Sequence, residues 1–75
     1  MRILTKEGCN QCQKVMEYLD SKNIDYEVIN LSKKEERENR KHYRDSGYRL
    51  LPVVENNGWA IEGLNIKLLE EYING

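Results

Sequence analysis

The sequence predicts an α/β domain in which three helices cover a four-stranded mixed sheet, in the order βαβαββα. Three observations predict this class. The 75 residues allow one small domain, residues 1–75, and leave no room for a second. Short segments rich in β-branched and aromatic residues alternate with segments of helical period. The turn sequence Asn-Asn-Gly at 56–58 predicts a β-hairpin between the last two strands.

The first half of the chain predicts a strand, a helix and a second strand. Residues 2–5 are typical of a short strand, which the sequence Lys-Glu-Gly ends. A helix is predicted over residues 11–22, because its apolar side chains recur with a period near 3.6 and its charged side chains lie opposite them. These apolar side chains are Cys12, Val15, Met16 and Leu19. Residues 26–30 have the β-branched and aromatic content of a strand.

The next predicted element is a charged helix over residues 33–45, which contain six basic and four acidic side chains. Ser32, with glutamates three and four positions later, predicts a capped start for this helix. Tyr43 is its one large apolar residue, so we expect Leu31 and Tyr48 to help cover the core at its two ends.

The last predicted elements are two hairpin strands, at residues 50–55 and 59–62, and a helix capped by Asn65. One side of this helix is apolar, with Ile66, Leu69, Tyr72 and Ile73. A helix joins the first two strands, which makes them parallel, whereas hairpin strands are antiparallel. The sheet is therefore expected to be mixed.

Composition excludes several classes of protein. Leu, Ile and Val make up 18 of the 75 residues, which is enough for a folded core although 33% of the chain is charged. The net charge of -1 argues against a nucleic-acid partner. No apolar run exceeds five residues, so we expect neither a membrane span nor a signal peptide. We expect a cytoplasmic monomer.

The motif that carries chemistry is a C-x-x-C pair, Cys9-Asn10-Gln11-Cys12, placed where the first strand ends and the first helix begins. Free N–H groups and the positive end of the helix dipole favour an anion there, so the Cys9 thiol should ionise more readily than a free cysteine. The spacing brings both sulfurs to one side of the first turn, with Cys9 outermost and Cys12 facing the core. The predicted chemistry is thiol–disulfide exchange, with Cys9 as nucleophile and Cys12 as resolving thiol.

Other uses of the two cysteines are open. A closed zinc site needs four ligands, and the chain adds only His42, thirty positions beyond Cys12. A carrier that holds a soft, copper-like ion between two thiolates is the stronger rival. Two inert buried cysteines are the third alternative. We expect no metal site, and we assign His42 no role.

Three stretches resemble the glutaredoxin branch of the thioredoxin-fold redoxins. Residues 6–12, Lys-Glu-Gly-Cys-Asn-Gln-Cys, have a basic residue three positions before the first cysteine. Residues 47–54 are Gly-Tyr-Arg-Leu-Leu-Pro-Val-Val, and Gly63 precedes the last helix. The resemblance covers nearly the whole chain and implies a compact thioredoxin fold.

The second stretch is most similar to the NrdH-type redoxins, in which a glycine, an aromatic residue and an arginine precede Leu-Pro-Val-Val. This resemblance implies that Pro52 is a cis-proline facing the cysteines and that the Leu51 backbone pairs with an extended substrate. Lys6 could bind a glutathione carboxylate or acidify Cys9. The substrate-binding set implied in this way is Lys6, Gln11, Leu51, Pro52 and Gly63.

The subgroup decides the reductant. NrdH-type chains usually carry Trp-Ser-Gly-Phe where this chain has Ile-Glu-Gly-Leu at 61–64, and glutathione-dependent glutaredoxins usually carry Pro-Tyr where it has Asn-Gln. Similarity to the NrdH-type group implies reduction by a thioredoxin reductase and electron delivery to ribonucleotide reductase. The other branch implies glutathione. We favour the first, with no cofactor beyond the redox-active disulfide.

Overall fold

The computed structural model describes residues 1–74, so Gly75 of the predicted domain lies outside the described residues. The predicted order βαβαββα is confirmed. The elements are β1 (Arg2–Thr5), α1 (Asn10–Ser21), β2 (Glu27–Asn30), α2 (Arg37–Asp45), β3 (Val53–Asn56), β4 (Trp59–Glu62) and α3 (Ile66–Asn74). None of these helices within residues 1–74 is long and apolar enough to cross a membrane.

The four strands form one mixed sheet in the order β2-β1-β3-β4. β1 runs parallel to β2, with Leu4 opposite Ile29, and antiparallel to β3, with Leu4 opposite Val53. β3 and β4 form the predicted hairpin, with Val53 opposite Glu62. The last residue of β1, the first of β3 and the last of β4 therefore meet at one end of the sheet, which we call the Thr5 end. The opposite end is called the Met1 end.

Alternating side chains of the strands supply two apolar clusters, one on each face of the sheet. The α1/α3 cluster consists of Ile3, Val15, Leu19, Val54, Ile61 and Leu69. The α2 cluster consists of Leu4, Ile29, Leu31 and Val53, with Tyr43, Tyr48 and Leu51 packed against it. The expected contributions of Leu31 and Tyr48 to the core beside α2 are thus confirmed.

The start of the charged helix differs from the prediction. A 3₁₀ turn, Lys34–Glu36, precedes α2, and no side chain of the described residues caps either segment. Ser32 Oγ instead accepts a hydrogen bond from the Glu7 N–H at 3.1 Å. The Arg40 side chain stabilises the segment that connects β2 to α2. Its guanidinium donates to three backbone carbonyls, those of Leu31, Lys33 and Lys34.

The third strand also begins later than predicted. The sequence predicts a strand from residue 50, whereas β3 begins at Val53. Pro52 has no N–H to donate to the sheet, so regular pairing starts only after its ring.

Two contacts anchor the last helix. Asn65 Oδ1 accepts a hydrogen bond from the Leu68 N–H at 3.1 Å, which confirms the predicted cap. The Trp59 ring at the end of the hairpin stacks on Tyr72 of α3, with ring centroids 5.0 Å apart and planes within 9° of parallel. The hairpin and the last helix are thereby held together at the Met1 end.

Candidate active site

Cys9 is the N-cap residue of α1, with an extended backbone at φ -90 and ψ 100. Its Sγ accepts a hydrogen bond from the Cys12 N–H at 3.2 Å. The sulfur therefore takes the place of the serine or aspartate oxygen that usually caps a helix. The first turn of α1 contains no acidic residue, so no side chain within that turn opposes the positive end of the helix dipole.

A disulfide joins Cys9 to Cys12, whose Cα atoms lie 5.2 Å apart. The two residues differ in exposure. Cys12 is 1% exposed and shares the buried side of α1 with Val15, whereas Cys9 is partly exposed. Cys9 is therefore the more accessible residue of the pair, and Cys12 lies in the core.

The segment before β3 lies at the Thr5 end of the sheet, where β1 leads into the loop that carries Cys9. The Leu51–Pro52 peptide bond is cis, and Pro52 is buried. Because β1 and β3 are antiparallel, Pro52 lies next to the end of β1, from which a short loop leads to Cys9. The Pro52 carbonyl accepts a hydrogen bond from the Gly63 N–H at 2.7 Å. Pro52 and Gly63 are therefore neighbours at the Thr5 end of the sheet.

Leu51 has an unpaired backbone. Among residues 1–74, neither its N–H nor its carbonyl has a backbone hydrogen-bond partner. Two leucines in the adjoining loops are exposed, Leu50 by 59% and Leu64 by 39%. Gly63 lies beside the Leu50 side chain and has a φ of 74°, a left-handed conformation that favours glycine. A strip of free backbone flanked by apolar side chains is a surface on which another chain can pair.

A cleft of about 490 Å³ lies between the loop after β1 and α2. It is lined by Lys6, Leu31, Ser32, Arg40, Tyr43, Arg44 and Leu51. Burial raises the pKa of Tyr43, and the charge of Glu62 raises it further, so the phenol remains neutral and can donate a hydrogen bond. The structure thus brings Lys6 and Leu51 together. Gln11 does not line this cleft and is exposed on the first turn of α1.

Glu62, the last residue of β4, also contacts this region. Its Oε1 accepts hydrogen bonds from the N–H groups of Arg49 at 2.6 Å and Leu50 at 3.3 Å. No sequence signal indicates this role. A glutamate directly before a glycine has no specific conformational meaning, and the two amides lie more than ten positions away along the chain.

A second polar cluster lies towards the Met1 end of the sheet. Glu55 accepts hydrogen bonds from Arg2 Nε, His42 Nε2 and Tyr48 Oη, each at 2.7 Å. Because an ionised carboxylate can only accept, Nε2 of His42 carries a proton in this arrangement. His42, for which the sequence suggests no function, ties α2 to β3.

Comparison with known proteins shows which family this chain belongs to. The family model for glutaredoxin matches residues 2–61 of the chain. An uncharacterized glutaredoxin-like 8.6 kDa protein in the rubredoxin operon of Clostridium pasteurianum is 35% identical over an alignment of 75 positions, which covers 97% of this chain and 96% of that protein.

Solved structures share the architecture. NrdH-redoxin from Escherichia coli, a glutaredoxin-like protein with a thioredoxin-like activity profile, is 27% identical with a TM-score of 0.84, over 95% of this chain and 93% of that one. A glutaredoxin from Archaeoglobus fulgidus is 29% identical with a TM-score of 0.82, over 99% and 85% of the two chains. The architecture is the compact thioredoxin fold, and the chain belongs to the glutaredoxin family.

Proposed function

We propose that this protein is a dithiol redoxin that reduces protein disulfides through Cys9 and Cys12. The observation that carries the proposal is the N-cap position of Cys9, where a partly exposed sulfur accepts the Cys12 N–H. In the reduced protein, this N–H and the helix dipole stabilise a thiolate at the same place. Cys12 lies one turn further on, within reach of whatever Cys9 binds.

The proposed reaction has two exchange steps. The Cys9 thiolate attacks one sulfur of the substrate disulfide, and the other substrate sulfur leaves as a thiolate that takes up a proton. Cys12 then loses its proton and attacks Cys9 Sγ, which breaks the mixed disulfide and releases the second substrate thiol. Two electrons pass to the substrate, and the carrier is left with a Cys9–Cys12 disulfide.

The substrate chain is proposed to dock on the strip beside Pro52. An extended segment pairs with the free backbone groups of Leu51, in the manner of strand addition, and Gly63 supports this segment through its hydrogen bond to Pro52. Gln11, exposed on α1, and Lys6, in the neighbouring cleft, complete the proposed binding set.

Serine substitutions test the two cysteine roles. We expect Cys9→Ser to abolish the reduction of insulin, because the attacking thiolate is gone. We expect Cys12→Ser to accumulate a mixed disulfide with the substrate, which dithiothreitol reduces. The measurements are insulin turbidity and non-reducing gel electrophoresis. A Cys9→Ser protein that still reduced insulin at the wild-type rate would contradict the proposal.

The proposed electron source is a thioredoxin reductase, with ribonucleotide reductase as a candidate acceptor. Two findings support this branch: the sequence Gly-Tyr-Arg-Leu-Leu-Pro-Val-Val at 47–54 and the match to NrdH-redoxin, described by its thioredoxin-like activity profile. A carrier of this kind works in the cytoplasm, where thiols are kept reduced.

Glutathione is the second candidate reductant, and one observation favours it. The cleft beside Leu51 is lined by the cations Lys6 and Arg44, which suit a small peptide bearing two carboxylates. A comparison decides between the two: NADPH with thioredoxin reductase against NADPH with glutathione and its reductase, each coupled to the same disulfide. We expect the first system to give the faster turnover, and faster turnover with glutathione would reverse the assignment.

A further inference from the structure

One oxygen of Glu62 holds two consecutive backbone N–H groups, those of Arg49 and Leu50. Two successive amides that converge on one anionic oxygen form a small anion-binding nest, and hydrogen bonds to a charged acceptor are stronger than neutral ones. The nest is filled by a side chain from β4, on the far side of the hairpin. Glu62 is exposed to solvent, so its contribution to the apolar core is small.

The two amides directly precede the residue that the proposed reaction uses for docking. Leu51 follows Leu50, and its own N–H and carbonyl have no backbone partner among residues 1–74. On the other side, Pro52 is fixed through its carbonyl by the Gly63 N–H at 2.7 Å. The Leu51 backbone is thus held from both sides by neighbouring residues of one strand end, Glu62 and Gly63, and is left free itself.

We propose that Glu62 is a positioning residue that presents the backbone of Leu51 to polypeptide substrates. This inference rests on the proposed disulfide reductase function and extends it to substrate selection. A polypeptide disulfide needs the docking strip in place before Cys9 can attack. A small aromatic disulfide makes no backbone pairing and reaches Cys9 directly. Glu62 therefore acts on the binding of protein substrates and leaves the exchange chemistry unchanged.

Two conservative variants distinguish the effect of the length of the Glu62 side chain from the effect of its charge. Glu62→Asp keeps the charge but shortens the side chain, so that it no longer reaches the two amides. Glu62→Gln keeps the length and an acceptor oxygen but loses the charge. Glu70→Asp and Glu70→Gln serve as controls, since Glu70 is an exposed residue of α3 whose side chain has no hydrogen bond within residues 1–74.

The expected result is a change in KM for one substrate class only. In Glu62→Asp, we expect the KM for insulin to rise about threefold to tenfold, the effect of losing roughly one hydrogen bond. Its kcat for insulin and its rate with 5,5′-dithiobis(2-nitrobenzoate) should stay within twofold of wild type. Glu62→Gln keeps the reach but makes weaker, neutral hydrogen bonds, so its insulin KM should rise less than that of Glu62→Asp, and both Glu70 variants should match wild type with both substrates. Hydrogen exchange at the Arg49 and Leu50 amides should be fastest in Glu62→Asp.

Three results would overturn the inference: an unchanged insulin KM in Glu62→Asp despite faster amide exchange, an equal loss on both disulfides, or a Glu62→Gln protein as impaired as Glu62→Asp. These outcomes concern Glu62 alone. If wild-type protein itself reduced neither disulfide, the proposed function would fail, and the inference would fail with it.

Discussion

Glu55 is the most heavily hydrogen-bonded side chain of the sheet. Its side chain is 14% exposed, and its carboxylate accepts hydrogen bonds from Arg2, His42 and Tyr48. Burial alone would raise the pKa of Glu55, but these three hydrogen bonds outweigh it and lower the pKa from 4.5 to about 2. Burial and the bond to Glu55 also raise the pKa of Tyr48 to about 12, so its hydroxyl remains a donor.

Glu55→Gln should therefore change how stability depends on pH. The folded pKa of Glu55 is lower than the unfolded one, so its stabilisation is present above about pH 4.5 and is lost as the pH falls towards 2. Its full size is about 3 kcal/mol at 1.36 kcal/mol per pKa unit. We expect the variant to be less stable than wild type at pH 7 and the difference to shrink between pH 4.5 and 3, measured by urea unfolding.

Glu27→Gln is the matched control for this experiment. Glu27 is opposite Arg2 on the other neighbouring strand, but it is exposed. The control should unfold with the same pH profile as wild type. An identical profile for Glu55→Gln would contradict the assignment of the acid-sensitive stability to Glu55.

Sequence alone was sufficient for the residues of the redox pair and insufficient for Glu55. Cys9 and Cys12 lie within one helical turn, so local spacing determines their geometry. His42 and Glu55 are thirteen positions apart on different elements, and their bond depends on how α2 lies across the sheet. A histidine in a charged helix carries no sign of such a partner.

At the scale of elements, α2 depends on the segment that precedes it. Arg40, in the first turn of α2, donates back to three carbonyls of the connection, of which the Lys33 carbonyl also accepts the Glu36 N–H. The hydrogen bonds of this guanidinium link the segment after β2 to the start of α2.

Arg40→Met should loosen this connection, because methionine keeps much of the apolar stem and removes all three hydrogen bonds. We expect a loss of about 1–3 kcal/mol in the free energy of unfolding, with faster amide exchange over residues 31–36. Arg37→Met, at an exposed position of the same helix, should change stability by less than about 0.5 kcal/mol. Equal effects of the two substitutions would show that Arg40 contributes no more than its charge.

The elements were predicted from periodicity, and the two differences have physical causes. Ser32 has the sequence of a capping residue, yet its hydroxyl meets the Glu7 N–H, which comes from a loop distant in sequence. The strand expected from residue 50 loses its first residues because Glu62 binds the amides of Arg49 and Leu50 and Pro52 has none. Local propensity does not include either long-range partner.

At the scale of the whole molecule, a single sheet separates two apolar clusters. Val53 and Val54 are consecutive residues of β3, are 0% and 1% exposed, and belong to the α2 cluster and the α1/α3 cluster respectively. Replacing either valine by alanine therefore removes the same two methyl groups, from one face of β3 or from the other.

Val53→Ala and Val54→Ala should each lower the free energy of unfolding by about 2 kcal/mol, since each removes two buried methyl groups and leaves a cavity. Because both clusters share the sheet, each variant should still unfold in one transition with equal calorimetric and van't Hoff enthalpies. A second transition in Val53→Ala alone would mean that α2 and its cluster separate from the rest before the sheet unfolds.

The stack of Trp59 on Tyr72 lies at the Met1 end, whereas the two sulfurs lie at the Thr5 end. Trp59 is the only tryptophan of the sequence, so the tryptophan fluorescence of this protein comes from the end of the molecule away from the cysteines. Its fluorescence will report whether the hairpin is still packed against α3, and it will not report whether the cysteine pair is oxidised or reduced.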